Sequence, residues 1–214
     1  AVLYEAKKPG AKRALLAPNG VDAEHFARAA DPSLPVAEAV RDLRHPVIGW
    51  LGSLNYWIDT YLLARIAREH PEWTVLIVGP HDLLADLRPF EGVPNIVMTG
   101  RVPYEQMPSY VRVFDVCVNP YVMDGVAEHC SPLKLYEYIA TGKPVVSVDM
   151  PEARKFMDFI AIAHTADEFV RLVEKAVSST PAQPEQQIAE AFRHTWRSRY
   201  EQVAAALAEI LSLR

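Results

Sequence analysis

Between Gly125 and Asp149 the chain reads GVAEHCSPLKLYEYIATGKPVVSVD, which gathers Glu128, His129, Cys130, Ser131, Lys134 and Glu137 into one short stretch. Such a set could seat an anion. Ser131-Pro132-Leu133-Lys134 reads as a helix start behind a Gly-containing loop, with Ser131 as N-cap and Pro132 at the first helical position. Free backbone N–H groups there, at the positive end of the helix dipole, form a phosphate seat. Lys134 adds a charge one turn in. Glu137, three positions on, sits on a neighbouring face where a carboxylate could accept hydrogen bonds from a ribose diol. The same two residues read equally as a solvent-exposed Lys and Glu on an ordinary helix. Glu128, His129 and Cys130 could contact a sugar or a leaving group, or could be surface decoration beside a buried thiol. Adjacent His and Cys with no second pair at ligand spacing do not make a metal site.

Two further loops carry candidates. In GWLGSLNYWID, Gly49 and Gly52 flank a strand end, and Gly52 with Ser53 would let backbone approach a phosphate closely. No third glycine follows, so this is not the dinucleotide fingerprint. Asn55 and Asp59 read as cap and first-turn residues, and Trp57 as core or as a stacking platform. In TGRVPYEQM, Arg101 ends a strand where it could meet a phosphate or a base edge, or simply be solvated, with Val102 beside it. Asn119 and Pro120 fall beside the first loop. The chain has no Ser-His-Asp order, no P-loop and no defensible pair of glycosidase carboxylates.

The elements that must position these groups are short Val- and Ile-rich runs alternating with helical periods, the pattern of a parallel sheet. Strands are expected at 14–18, 46–52, 73–79, 95–100, 115–120, 144–149 and 160–164. The intervening helices include YWIDTYLLARIAREH, which places Ile58, Leu62, Leu63 and Ile66 on one face. Others are PYEQMPSYVRVF, SPLKLYEYIATG with Leu135 and Ile139 inward, and TADEFVRLVEKAVSS capped by Thr165. One long helix is expected through IAEAFRHTWRSRYEQVAAALAEILS. The fold class is α/β, a Rossmann-like doubly wound parallel sheet with helices on both faces.

Composition narrows the function. The chain has 214 residues, half of them hydrophobic, and a net charge of -5, which argues against a nucleic-acid binder. Two cysteines, Cys117 and Cys130, are too few for a disulfide framework or a four-ligand zinc site, so a reducing cytoplasmic setting is expected. No run approaches the roughly 18 apolar residues of a spanning helix. Peripheral contact with the inner face of a membrane stays open. The chain begins at Ala1 and enters a charged, linker-like YEAKKPGAKR segment, as a fragment of a longer protein would.

Taken in order, APNGVDAEHF, VIGWLGSL, WTVLIVGP, PNIVMTGRVPYEQMPSYVRVFDVCVNPY and SPLKLYEYIATGKPVV resemble the C-terminal, donor-binding domain of a GT-B fold glycosyltransferase of the family 4, or group 1, type. The resemblance implies a linker and lead-in strand over 1–22, a nucleotide-sugar-binding Rossmann-like domain over 23–182, and a closing helix over 183–214 that packs towards a missing N-terminal Rossmann domain. It implies transfer of a hexosyl group from a nucleotide-diphosphate sugar to a glycan or lipid-linked acceptor, with retention and without metal or other cofactor, in cell-surface polysaccharide or glycolipid synthesis. By the same resemblance Glu137 binds the ribose, Ser131 to Lys134 meet the diphosphate and donor sugar with Cys130 alongside, Arg101 and Val102 line the base, and Gly52 and Ser53 lie near the phosphates. In the family's E-x7-E spacing the first Glu falls on His129, while Glu128 stands one residue early, so these two share the sugar-contacting place. The basic pair expected after the Gly loop is absent, which leaves phosphate charge to Lys134, the helix start and Arg101. A related sugar-nucleotide epimerase and a catalytically silent binding domain are the rival readings.

Overall fold

A computed structural model describes residues 2–125, 127–179 and 183–212. Six strands, β1 (Val47–Leu51), β2 (Thr74–Val78), β3 (Ile96–Met98), β4 (Val116–Asn119), β5 (Val145–Val148) and β6 (Ala161–Ala163), form one sheet. Its order is β3-β2-β1-β4-β5-β6 and every neighbouring pair is parallel. The doubly wound α/β expectation holds. β1, β2 and β4 are buried along their whole length, which is why they read as continuous apolar runs without alternation.

The described helices are α1 (Val2–Lys7), α2 (Ala23–Ala27), α3 (Thr60–Glu69), α4 (Met107–Val111), α5 (Leu133–Ala140), α6 (Ala166–Val177), α7 (Pro184–Phe192) and α8 (Trp196–Ser212). On one face of the sheet, Val47, Leu51, Cys117 and Val145 pack against Leu135, Tyr138 and Ile139 of α5, Phe26 of α2 and Ala191 of α7. On the other, Ile48, Trp50, Val75 and Val116 meet Leu62, Leu63 and Ile66 of α3 and Phe169, Val170 and Val173 of α6. Asp59 caps α3 by accepting the Leu62 N–H at 2.8 Å, and Thr165 caps α6 by accepting that of Glu168 at 3.1 Å.

Several expectations are corrected. Residues 14–18 form no strand: Leu15 and Leu16 are 45% and 37% exposed, and no ladder partner faces them among the described residues. The expected single C-terminal helix is two, α7 and α8, because the joint between them bonds to the N-terminal segment. Val21 donates its N–H to the His194 carbonyl at 2.9 Å and accepts that of Trp196 at 3.3 Å. Gly49 lies inside β1 and does not flank its end. A Cβ there would stand 2.1 Å from the Phe114 ring, so the aromatic occupies the space a side chain would need.

Gly49→Ala is therefore expected to cost on the order of 1–3 kcal/mol through overpacking. Gly10→Ala, where a Cβ meets nothing within 4 Å, serves as the neutral control, with both measured by thermal denaturation.

Candidate functional site

The strand order reverses between β1 and β4, and the crevice beyond their carboxyl ends is where open parallel sheets take ligands. The loops after β1 and β4 converge there. Gly52 adopts φ +144° and Gly79, ending β2, adopts φ +140°. A Cβ on Gly79 would come within 2.2 Å of the Gly52 carbonyl oxygen, so the two backbones touch as only glycines allow. Gly79 in turn bridges Gly100, at the end of β3. Three strand ends, with Ser53 and Arg101 next to them, thus meet along one edge. Arg101 is exposed and Val102 buried.

α5 faces this edge and is bolted to it. The Tyr138 phenol, fully buried, accepts the Leu51 N–H at 2.7 Å, tying the second turn of α5 to the last residue of β1. Burial pushes this phenol's pKa well above 10. One turn earlier, the Lys134 stem crosses the Gly52 turn: a Cβ on Gly52 would lie 3.1 Å from Lys134 Cε and 3.3 Å from Trp50 Cζ2. Lys134 Nζ then reaches Glu137 Oε2 at 2.7 Å. Glu137 is only 2% exposed, which decides between the two sequence readings of this pair: it is an enclosed ion pair, not surface decoration. Burial raises the Glu137 pKa, and Lys134 opposes the rise by charge and hydrogen bond.

Ser131 is not the N-cap. Pro132 holds that place without a side-chain cap, and among the described residues the N–H groups of Leu133 and Lys134 find no acceptor. The Ser131 hydroxyl instead accepts the Asn19 N–H at 3.4 Å and lies 3.5 Å from Tyr136 Oη. Cys130 is half-buried, and its N–H donates to the Ala127 carbonyl at 3.3 Å. Glu128 and His129 stand exposed on the one-turn 3-10 helix Ala127–His129, before α5. The structure therefore brings Gly52, Ser131 to Lys134 and Glu137 together. It leaves the Glu128–His129 turn at the open side.

Sequence reasoning missed several neighbours. His25 of α2 stacks on Tyr104 with ring centroids 4.4 Å apart, its Nε2 2.9 Å from the Tyr104 carbonyl oxygen. Trp50 is 2% exposed beside Gly52, and its indole Nε1–H has no partner among the described residues. Asn19 donates its side-chain amide to the Ser131 carbonyl. Periodicity marks Trp50 as core, and nothing local marks the other two. Asn55 and Asn119, likewise buried, each leave Oδ1 without a described partner.

With the geometry of fold and site in hand, comparison with known proteins places the chain. Residues 45–179, more than half of it, match the family described as Glycosyl transferases group 1. The chain belongs to that family. It is 29% identical over 166 residues to the Bacillus subtilis (strain 168) protein named "Putative teichuronic acid biosynthesis glycosyltransferase TuaH", a match covering 74% of this chain and 41% of that one. Among solved structures, sucrose-phosphate synthase from Thermosynechococcus elongatus superposes with a TM-score of 0.71 at 16% identity, over 98% of this chain and 57% of that one. Anabaena Alr3699/HepE, solved with UDP and glucose, gives 0.69 at 14%, over 89% and 55%. At these identities what is shared is the fold, and this group 1 chain is one Rossmann-like half of a GT-B fold. It spans about half the length of the proteins it matches.

A buried acid with a raised folded-state pKa is relatively stabilising below its unfolded value of 4.5, and that contribution is lost as pH rises through the folded value. Lys134→Met removes the main opposing charge and raises that pKa further. Its stability loss is accordingly expected to be large at pH 7, roughly 3–5 kcal/mol for an orphaned buried charge, and clearly smaller at pH 5, as measured by urea denaturation at the two pH values.

Proposed function

We propose that this chain is the donor-binding half of a glycosyltransferase that moves a hexosyl group from a nucleotide-diphosphate sugar to a glycan or lipid-linked acceptor, with retention, in cell-surface polysaccharide or glycolipid synthesis. The observation that carries the reading is the enclosed Lys134–Glu137 pair beneath an uncapped helix start at the switch point of the sheet. The teichuronic acid role in the name of the Bacillus relative and the UDP bound by the Anabaena protein support it.

In this reading the nucleotide exchanges partners with the ion pair. The diphosphate settles on the N–H groups of Leu133 and Lys134, over the turn where Gly52 presents no side chain and Ser53 follows, and draws Lys134 Nζ to it. Glu137, released, accepts hydrogen bonds from the ribose hydroxyls, so neither charge is left bare. Arg101 and Val102 flank the base, and Glu128, His129 and Cys130 face the sugar. The bond from the anomeric carbon to the diphosphate oxygen breaks, one to the acceptor oxygen forms, and the acceptor hydroxyl passes its proton to the departing diphosphate. Negative charge growing on the leaving diphosphate is met by fixed dipoles and Lys134, worth most in a closed cleft, so the reading calls for no metal.

The acceptor belongs to an N-terminal Rossmann domain. α8 supports such a partner: it buries none of its described residues, and Trp196, Tyr200, Val203, Leu207 and Ile210 recur at helical spacing while 38% to 73% exposed. Among the described residues no helix is long and apolar enough to cross a membrane.

Calorimetric titration with UDP and GDP tests the donor site. One of the two is expected to bind, and Glu137→Gln, which keeps the volume and removes the charge, to weaken it about tenfold or more, the scale of a charged hydrogen bond. Heat from neither nucleotide, or a Glu137→Gln variant that binds as tightly as wild type, contradicts the reading.

A further inference from the structure

The chemistry of α5 requires its leading N–H groups to be free, yet the sequence sets a serine just ahead of them. Ser131-Pro132-Leu133-Lys134 is a good local N-cap sequence: a Ser131 hydroxyl turned inward would accept the Leu133 or Lys134 N–H and occupy the seat itself. What turns it away is Asn19, 112 residues earlier in the chain. Asn19 donates its side-chain amide to the Ser131 carbonyl and its backbone N–H to the Ser131 hydroxyl. It is anchored from behind, because its own carbonyl accepts from Arg199 Nε at 3.2 Å. Arg199 Nη2 lies 2.6 Å from His194 Nδ1, and His194 Nε2 lies 2.9 Å from Glu190 Oε1. Gly20 makes this approach possible, since a Cβ there would stand 2.7 Å from the Trp196 nitrogen.

An independent feature points to a ligand at the same spot. The Trp50 Nε1–H, without a partner among the described residues and on a side chain 2% exposed, sits on the indole edge that borders Gly52, which the Lys134 stem also approaches. A buried donor without an acceptor, next to the Gly52 turn that the Lys134 stem also touches, suits an anionic oxygen.

We propose that Asn19 is a positioning residue of the donor site: by holding the carbonyl and hydroxyl of Ser131 it keeps that serine from capping α5 and leaves the leading N–H groups for a diphosphate. The inference rests on the donor-site reading above and goes beyond it. A cap and a phosphate compete for the same two donors, so Asn19 acts on phosphate affinity and not on the base or ribose.

The test compares UDP with uridine, or GDP with guanosine if the wild type prefers it, by calorimetry for the diphosphate and by NMR titration for the nucleoside. Asn19→Ala is expected to weaken the diphosphate about fivefold, the size of a serine cap's contribution, and to leave the nucleoside unchanged. Asn19→Asp, of the same shape but facing the Ser131 carbonyl with an acceptor, shifts in the same direction. Adding Ser131→Ala to Asn19→Ala removes the competing cap and raises diphosphate affinity above that of Asn19→Ala, to the level of Ser131→Ala alone. The inference is overturned if Asn19→Ala binds the diphosphate as wild type does, if diphosphate and nucleoside fall together as a general loosening would make them, or if the double variant is no tighter than Asn19→Ala. A wild-type chain that binds neither diphosphate sinks the donor-site reading itself, and with it this inference.

Discussion

The site depends on keeping one buried carboxylate charged. Glu137 lies in the second turn of a helix packed on the sheet, where an unpaired charge would be driven neutral. Lys134, three positions earlier on the same helix, reaches it with its stem lying over Gly52, which presents no side chain there, while Tyr138 ties the helix to the end of β1. Such a pair is a poor source of net stability, since desolvation offsets most of its attraction. In the proposed donor site its use is to hold a carboxylate and an ammonium ready, each able to change partner when a ligand brings a diol and a phosphate together.

Much of this was legible along the chain, and the reasons are local. β1, β2, β4 and β5 were visible because strands buried on both faces leave continuous Val- and Ile-rich runs, as in TVLIV and VVSV. Thr165 was visible because a cap is read by residues three positions away, whereas the α3 cap falls on Asp59, expected in the first turn, and not on Asn55. The errors occurred where distant partners decide. Residues 14–18 carry a strand-like composition but have no strand to pair with among the described residues, and the break at His194 and Thr195 is imposed by Val21, far away in sequence. Ser131 has every local feature of a cap and is diverted by Asn19.

The same distinction runs through the site. Gly52, Lys134 and Glu137 were found because a glycine turn and a helix start have sequence signatures, but spacing alone could not tell an exposed pair from an enclosed one. That depends on the helices and loops that cover α5. His25, Tyr104 and Asn19 arrive on segments whose own patterns advertise nothing. Family membership adds the larger frame: the chain spans about half of its matched relatives, and its last helix carries an exposed apolar stripe.

The central claim is that Lys134 and Glu137 part to receive a nucleotide, and the crystal structure of the chain bound to its nucleoside diphosphate tests it most directly. The account predicts the ribose hydroxyls within hydrogen-bond distance of the Glu137 carboxylate, the terminal phosphate on the N–H groups of Leu133 and Lys134, and Lys134 Nζ moved from Glu137 to a phosphate oxygen. A nucleotide bound away from the crevice between β1 and β4, or one lying over an unbroken Lys134–Glu137 pair, would contradict it.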